Sequence, residues 1–180
     1  MKNEIRELTR EAHVSAEENP LNKAFINGTI NDSAYNVYLY QRYLVIKELD
    51  FYLPYQFSRA KFFEMDLPEN YEDSLPILYS TREYLNYLED LPEEKMISQI
   101  YVNYMGDLHG GQIIRNNNPS KPNHHLDVLD IRNDFIHHVR DRISDRAQEL
   151  APYASEAFNF LESILDETID YLDGVFEVEE

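Results

Sequence analysis

Residues 101–112 read Tyr101-Val-Asn-Tyr-Met-Gly-Asp-Leu-His-Gly-Gly-Gln112, and they hold three of the five glycines in a chain of 180 residues. From Ile97 to about Arg115 the apolar residues recur at helical spacing, so Gly106, Gly110 and Gly111 fall inside a helix rather than in a turn. Each interior glycine weakens a helix by about 1 kcal/mol relative to alanine, so three together call for a geometric return. Two readings supply one. Gly106 and Gly110 form a Gly-x-x-x-Gly pair that lets another helix pack closely, or they bare the backbone to a flat ligand lying against it. Asp107 stands between them, placed to hold a water over whatever lies below.

The same helical spacing runs through the rest of the chain, with no run of alternating apolar and polar residues, and the predicted fold class is all-α. A first helix is predicted from an Asn3 cap to about Glu18, stopping before Asn19-Pro20. Asp32 is read as the cap of a second, apolar nearly all round, that reaches Leu53 before Pro54 and belongs in the core. Leu67 to Asp73 reads as a loop, and Pro76 opens a helix to about Asp90. Beyond the glycine-rich helix, Asn116 to Asn123 is a breaker. Two closing helices are expected over about 127–150 and 153–172, divided at Ala151-Pro152 and ended by Gly174, with an acidic tail over about 174–180. Without an internal repeat or linker, 1–180 reads as one bundle-like domain.

The chain has no cysteine, which excludes thiol catalysis, zinc-thiolate sites and cysteine-ligated clusters. No apolar run approaches the roughly 18 residues of a membrane span, and no leader or lipidation signal is present, so a soluble cytoplasmic protein is expected. A net charge of −18 argues against nucleic acid or an anionic membrane as partner. That charge is uneven. Residues 1–61 and 96–150 are close to neutral and carry 14 of the 16 cations, so any anionic ligand belongs to those two segments.

His13 and Glu17 lie four residues apart, on one face of the first helix. A carboxylate so placed accepts the ring N–H opposite a metal-ligating nitrogen and fixes the tautomer. A histidine beside an apolar stripe also serves as plain packing, and the residues alone leave both readings open. The pairs His124-His125 and His137-His138 read as surface residues, because adjacent helical positions point about 100° apart. The acidic stretch 166–180 reads as a solvated face.

Together, Ala12-His13 to Glu17 and Tyr101-x-x-Tyr-x-Gly-Asp-Leu-x-Gly-Gly-Gln112 resemble the heme oxygenase family, and the resemblance runs from about Ile5 to Leu172. It implies a heme oxygenase-like bundle of soluble microbial or viral type, with heme b, both substrate and cofactor, between a proximal helix (3–18) and a glycine-bent distal helix (96–115). His13 matches the axial iron ligand and Glu17 its helical neighbour. Gly106 and Gly110 match the glycines whose backbone approaches the heme, and Asp107 the acid that organises distal water. Arg6, Tyr101 and Arg140 match groups that contact the propionates. Asn103 departs from the family, standing where many relatives carry a basic residue, and His109 replaces a commonly small one. The implied reaction is oxidative cleavage of heme by O2 to biliverdin, carbon monoxide and ferrous iron. Its electrons come from a ferredoxin or flavin reductase, and a bilin reductase follows downstream. Two rival readings are a non-heme di-iron oxidase built on His13, Glu17 and other carboxylates, and a heme carrier without turnover.

Overall fold

The computed structural model describes the backbone of residues 4–177 and the side chains of 4–173. Among them there are helices and turns and no strand. The single N-terminal helix expected over 3–18 is two segments, α1 (Glu4–Leu8) and α2 (Arg10–Glu17). They meet at Thr9, whose hydroxyl donates back to the Ile5 carbonyl at 2.8 Å, a side-chain bond that bends helices. Backbone bonds from Thr9 to Ile5 and from His13 to Thr9, both 3.0 Å, still carry the chain across in register. The expected Asn3 cap lies outside the described residues.

Helix α3 (Pro20–Asn27) was not anticipated from the sequence, although its signals are local. Asn19 accepts from the Leu21 amide, Pro20 occupies the first turn, and Gly28 ends the helix at φ 71°. A side chain at Gly28 is doubly excluded, since a Cβ there would lie 2.1 Å from the Asn117 carbonyl oxygen. Helix α4 (Asp32–Asp50) is capped by Asn31 rather than Asp32. Val45, Ile46 and Leu49 on it are fully buried. Gln41, also fully buried, is completely satisfied. Its amide donates to the Val37 and Pro76 carbonyls, and its oxygen accepts from the Leu78 amide and the Thr81 hydroxyl.

Two short helices, α5 (Ala60–Asp66) and α6 (Tyr71–Ser74), occupy the stretch before α7 (Tyr79–Asp90). The first turn of α7 is capped from a distance, since Glu167 accepts from the amides of Tyr79 (2.8 Å) and Ser80 (2.7 Å). The acidic C-terminal stretch is therefore not simply a solvated face. Helix α8 (Met96–Asn117) carries the glycines. Helix α9 is Arg132–Ile143, and α10 runs unbroken over Ala147–Glu177. Neither the division at Ala151-Pro152 nor the stop at Gly174 occurs. Pro152 is the sixth residue of α10, so its missing N–H forfeits one helical bond just past the turn whose donors have no helical acceptor. The expected start of α9 at about 127 does not occur; the stretch before it is a short turn at His124–Leu126, and the carbonyls of His124, His125 and Asp127 accept from Arg59 at 3.1–3.4 Å.

Helix α10 braces the bundle, packing against α1, α2, α4, α7 and α8. Asp50, near the end of α4, ties α5 and α8 to it. Its carboxylate accepts from the Arg59 and Ala60 amides and from the Tyr104 hydroxyl at 2.6 Å. Asp50→Ala uncaps α5 and strands a buried phenol, and is expected to cost about 3 kcal/mol in urea unfolding. Tyr104→Phe in that background should return part of the loss.

Asp66 anchors the turn at His124–Leu126 in the same manner. One carboxylate oxygen accepts from the backbone amide and Nδ1 of His124, the other from those of His125, at 2.6–3.0 Å. A carboxylate can only accept, so both rings carry their proton on Nδ1. His125 is buried, 7 % exposed, which corrects its reading as a surface residue; His124 and His137 are exposed. Burial alone would raise the Asp66 pKa, but the bonds from His125 and His124 hold it below its ordinary value. A lowered carboxylate stabilises the fold above its unfolded value and loses that contribution as pH falls through the folded one. The stability gap between wild type and Asp66→Asn should therefore be widest near neutral pH and narrow below about pH 4. Urea titrations across pH 3–7 measure it.

Candidate functional site

The glycines divide by role. A Cβ built on Gly111 meets Leu126 Cδ2 at 3.2 Å, whereas one on Gly106 or Gly110 meets nothing within 4 Å. Gly111 is thus the packing glycine, seating α8 on the turn at His124–Leu126. Gly106 and Gly110 bare the helix to open space, and the helix-packing reading of that pair does not hold. Ile113 continues the same stripe at i, i+4, i+7 and is 56 % exposed. This face of α8 is open and apolar.

Cations gather beside it. Burial, and the charges of Arg132 and Arg140 on α9 and of Arg6 on α1, hold the pKa of His109 on α8 below its ordinary value. Arg132 Nε donates to the Leu108 carbonyl at 2.8 Å, and its Nη2 lies 3.4 Å from His109 Nδ1. Arginine only donates, so Nδ1 accepts and the His109 proton sits on Nε2. Tyr101, on the same helix, is partly buried against the core.

α1 and α2 rest on α10 as α8 does, while α2 and α8 do not pack extensively on one another among the described residues. α2 is fastened along one stripe of α10 at four-residue steps. The His13 ring meets Phe158 edge-on at 5.3 Å, Ser15 donates to Glu162 at 2.8 Å, and Asn19 donates to Asp166 at 2.7 Å. The His13 side chain is 33 % exposed, with Nε2 3.2 Å from Glu17 Oε1. Glu17 thus stands beside one ring nitrogen of His13, one helical turn along the same face.

Asp107 turns towards α4 rather than over the open face. Its Oδ2 lies 3.1 Å from Arg42 Nη2, with both side chains mostly buried. It also lines a cavity of about 10 Å³, with Arg59, Tyr104, Leu108, Val128, Ile131 and Phe135, room for one water. Sequence reasoning missed Arg42, Arg59 and Arg132, whose partners lie 23–68 residues away and leave no spacing to read.

A family model described as heme oxygenase matches residues 1–169. The chain belongs to the heme oxygenase family. It is 26 % identical over 132 residues to a heme oxygenase of Guillardia theta, covering 62 % of this chain and 56 % of that protein. It is 24 % identical over 132 residues to heme oxygenase 1 of Bos taurus, covering 62 % and 46 %. The chain thus spans about half the length of the curated relatives it matches. Heme oxygenase-1 of Synechocystis sp. PCC6803, solved in complex with heme, superposes with a TM-score of 0.81 at 20 % identity, over 97 % of this chain and 95 % of that one. Heme oxygenase-2 of Synechocystis sp. PCC 6803, in complex with heme and NO, gives 0.83 at 19 % identity, over 95 % and 86 %. These likenesses establish the heme oxygenase fold.

The residues fit a flat dianionic plate. Gly106 and Gly110 would clear one side for it, His13 offers an imidazole, and the charges of Arg6, Arg132 and Arg140 bear on His109 beside the glycines. A di-iron centre finds no such donor set, since no three His, Asp or Glu side chains that could hold a metal ion converge among the described residues. No described helix is long and apolar enough to cross a membrane.

Proposed function

We propose that this chain, read over 1–180 as a single heme oxygenase domain, binds heme between α2 and the bared face of α8 and cleaves it to biliverdin, carbon monoxide and ferrous iron. The observation that carries the reading is the open stripe at Gly106 and Gly110, where nothing stands within 4 Å of an added Cβ. Bound heme supplies an iron that accepts electrons and O2. The chain supplies the rest. His13 would ligate the iron from the α2 side, with Glu17 beside its ring to set the tautomer and raise its basicity. Arg6 and Arg140, with Tyr101, receive the propionates, since arginine pairs carboxylates bidentately. Gly106 and Gly110 keep side chains off the opposite face. Asp107, held by Arg42 on the α4 side of α8, orders water in the small cavity it lines and passes protons from there towards the reacting face.

Electrons come from outside the chain, from a ferredoxin or a flavin reductase, and the bilin passes to a bilin reductase. An acidic donor is drawn to the arginine-bearing side, where the chain is least negative. We place the protein in the cytoplasm on the same reading.

Hemin titration followed by ascorbate or a ferredoxin system tests this. The expected result is a Soret band saturating at one hemin per chain, then its loss with growth of a broad red bilin band. A stable Soret band without bilin would make the protein a carrier, and no Soret band would reject the site.

A further inference from the structure

We propose that Arg42 is the positioning residue of Asp107, supplying from α4 the cation that α8 lacks at Asn103. The proposal rests on the heme-cleaving role given to Asp107 above.

One turn before Asp107, position 103 is where a basic residue on the same helix would reach the carboxylate. Here it is Asn103, 2 % exposed and committed elsewhere, its amide donating to the Tyr84 hydroxyl and the Gln99 carbonyl, both at 2.9 Å. Arg42 fills the role across the helix interface. Its Nη2 donates at once to the Asn103 carbonyl (2.8 Å) and to Asp107 Oδ2 (3.1 Å). One guanidinium therefore fixes the distal carboxylate and the backbone one turn before it, on either side of Gly106. Together with the Tyr104 bond to Asp50, this tie holds the path of a helix that three glycines leave easier to bend.

The guanidinium is itself constrained. It lies 5.4 Å from the centre of the Phe63 ring. Burial opposes its charge, but Asp107 and Tyr38 outweigh burial and hold its pKa above the ordinary arginine value. The other titratable groups near Asp107 are Tyr35 on α4, Tyr104 on α8 and Arg59 before α5. Arg59 Nη2 is occupied by three carbonyls, so Arg42 is the arginine that meets the carboxylate directly.

Arg42→Met, Arg42→Lys and Arg42→Met/Asn103→Arg test the assignment, with melting curves to establish folding. In the ligand-free protein, Arg42→Met should speed amide exchange at residues 106–111 while exchange in α10 stays unchanged. In the ferric hemin complex, loss of a cation near the open axial face should raise the midpoint of the alkaline spectral transition by about one pH unit. Biliverdin yield per heme should fall about tenfold. Arg42→Lys should recover part of both, since an ammonium reaches one acceptor where the guanidinium bridges two. The double variant should restore the midpoint by placing the cation on α8. A fall in melting temperature with exchange, midpoint and yield all at wild-type values would make Arg42 a packing residue and overturn the proposal. If wild type shows no Soret band, the heme-cleaving reading fails, and the exchange experiment still decides whether Arg42 holds the Asp107 segment.

Discussion

His13→Ala is expected to leave the fold intact and to lower heme turnover by more than the roughly 10–100-fold that loss of a residue supporting a metal ligand costs. The two halves of that expectation come from different facts. Stability changes little because the His13 ring is a third exposed and its recorded contacts are one edge-on meeting with Phe158 and one with Glu17. Ser15 and Asn19 keep their bonds to α10, so α2 stays seated. Turnover collapses because no other histidine takes over. His109 has its Nδ1 occupied by Arg132 and its proton on Nε2, while His125 is buried against Asp66. The visible spectrum of the reduced, carbon monoxide-treated hemin complex reads the ligand, and added imidazole should restore part of the wild-type band. An unchanged spectrum in His13→Ala would remove it as the ligand, while the site at Gly106 and Gly110 would stand.

The helical fold and the ends of α4, α7 and α8 were legible to within a few residues because the apolar period is a local signal, although Asn31 rather than Asp32 caps α4 and α7 begins at Tyr79, past Pro76. Local signals also mark α3, with Asn19-Pro20 before it and Gly28 after it, yet eight residues carry too little periodicity to stand out beside longer neighbours. Pro152 misled for the opposite reason, since a proline near a helix start forfeits little. What sequence could not disclose is pairing at a distance. Asp66 gathers two histidines 58 and 59 positions on, Glu167 caps a helix 87 residues back, and Arg42 reaches Asp107 across 65. Each exists only once the bundle has closed, so no local spacing encodes it. The glycines show both limits at once. Their number signalled a site, but which of the three serves packing and which serves access depends on Leu126, which lies beyond the helix in the turn at His124–Leu126.

Gly106→Leu should therefore move stability and binding in opposite directions. Replacing an exposed helical glycine with a good helix former adds about 1 kcal/mol, and nothing opposes the gain, because the new Cβ meets no atom within 4 Å. The midpoint of urea unfolding should rise. If the bared stripe is where heme lies, the same side chain stands in its place. A core packed to crystal-like density cannot make room without moving a helix, so the Soret titration should lose most of its amplitude. Gly110→Leu should behave alike, one turn along the same stripe. Gly111→Leu gives the contrast, for there the Cβ already presses on Leu126 at 3.2 Å. It should lose stability through overpacking, by about 1–3 kcal/mol, and alter hemin binding only as far as the turn at His124–Leu126 is disturbed. A glycine kept for the fold costs stability when replaced. One kept for a ligand gives stability back and takes the function away. Were Gly106→Leu to bind hemin as tightly as wild type, heme would have to lie elsewhere, and the open face of α8 would need another occupant.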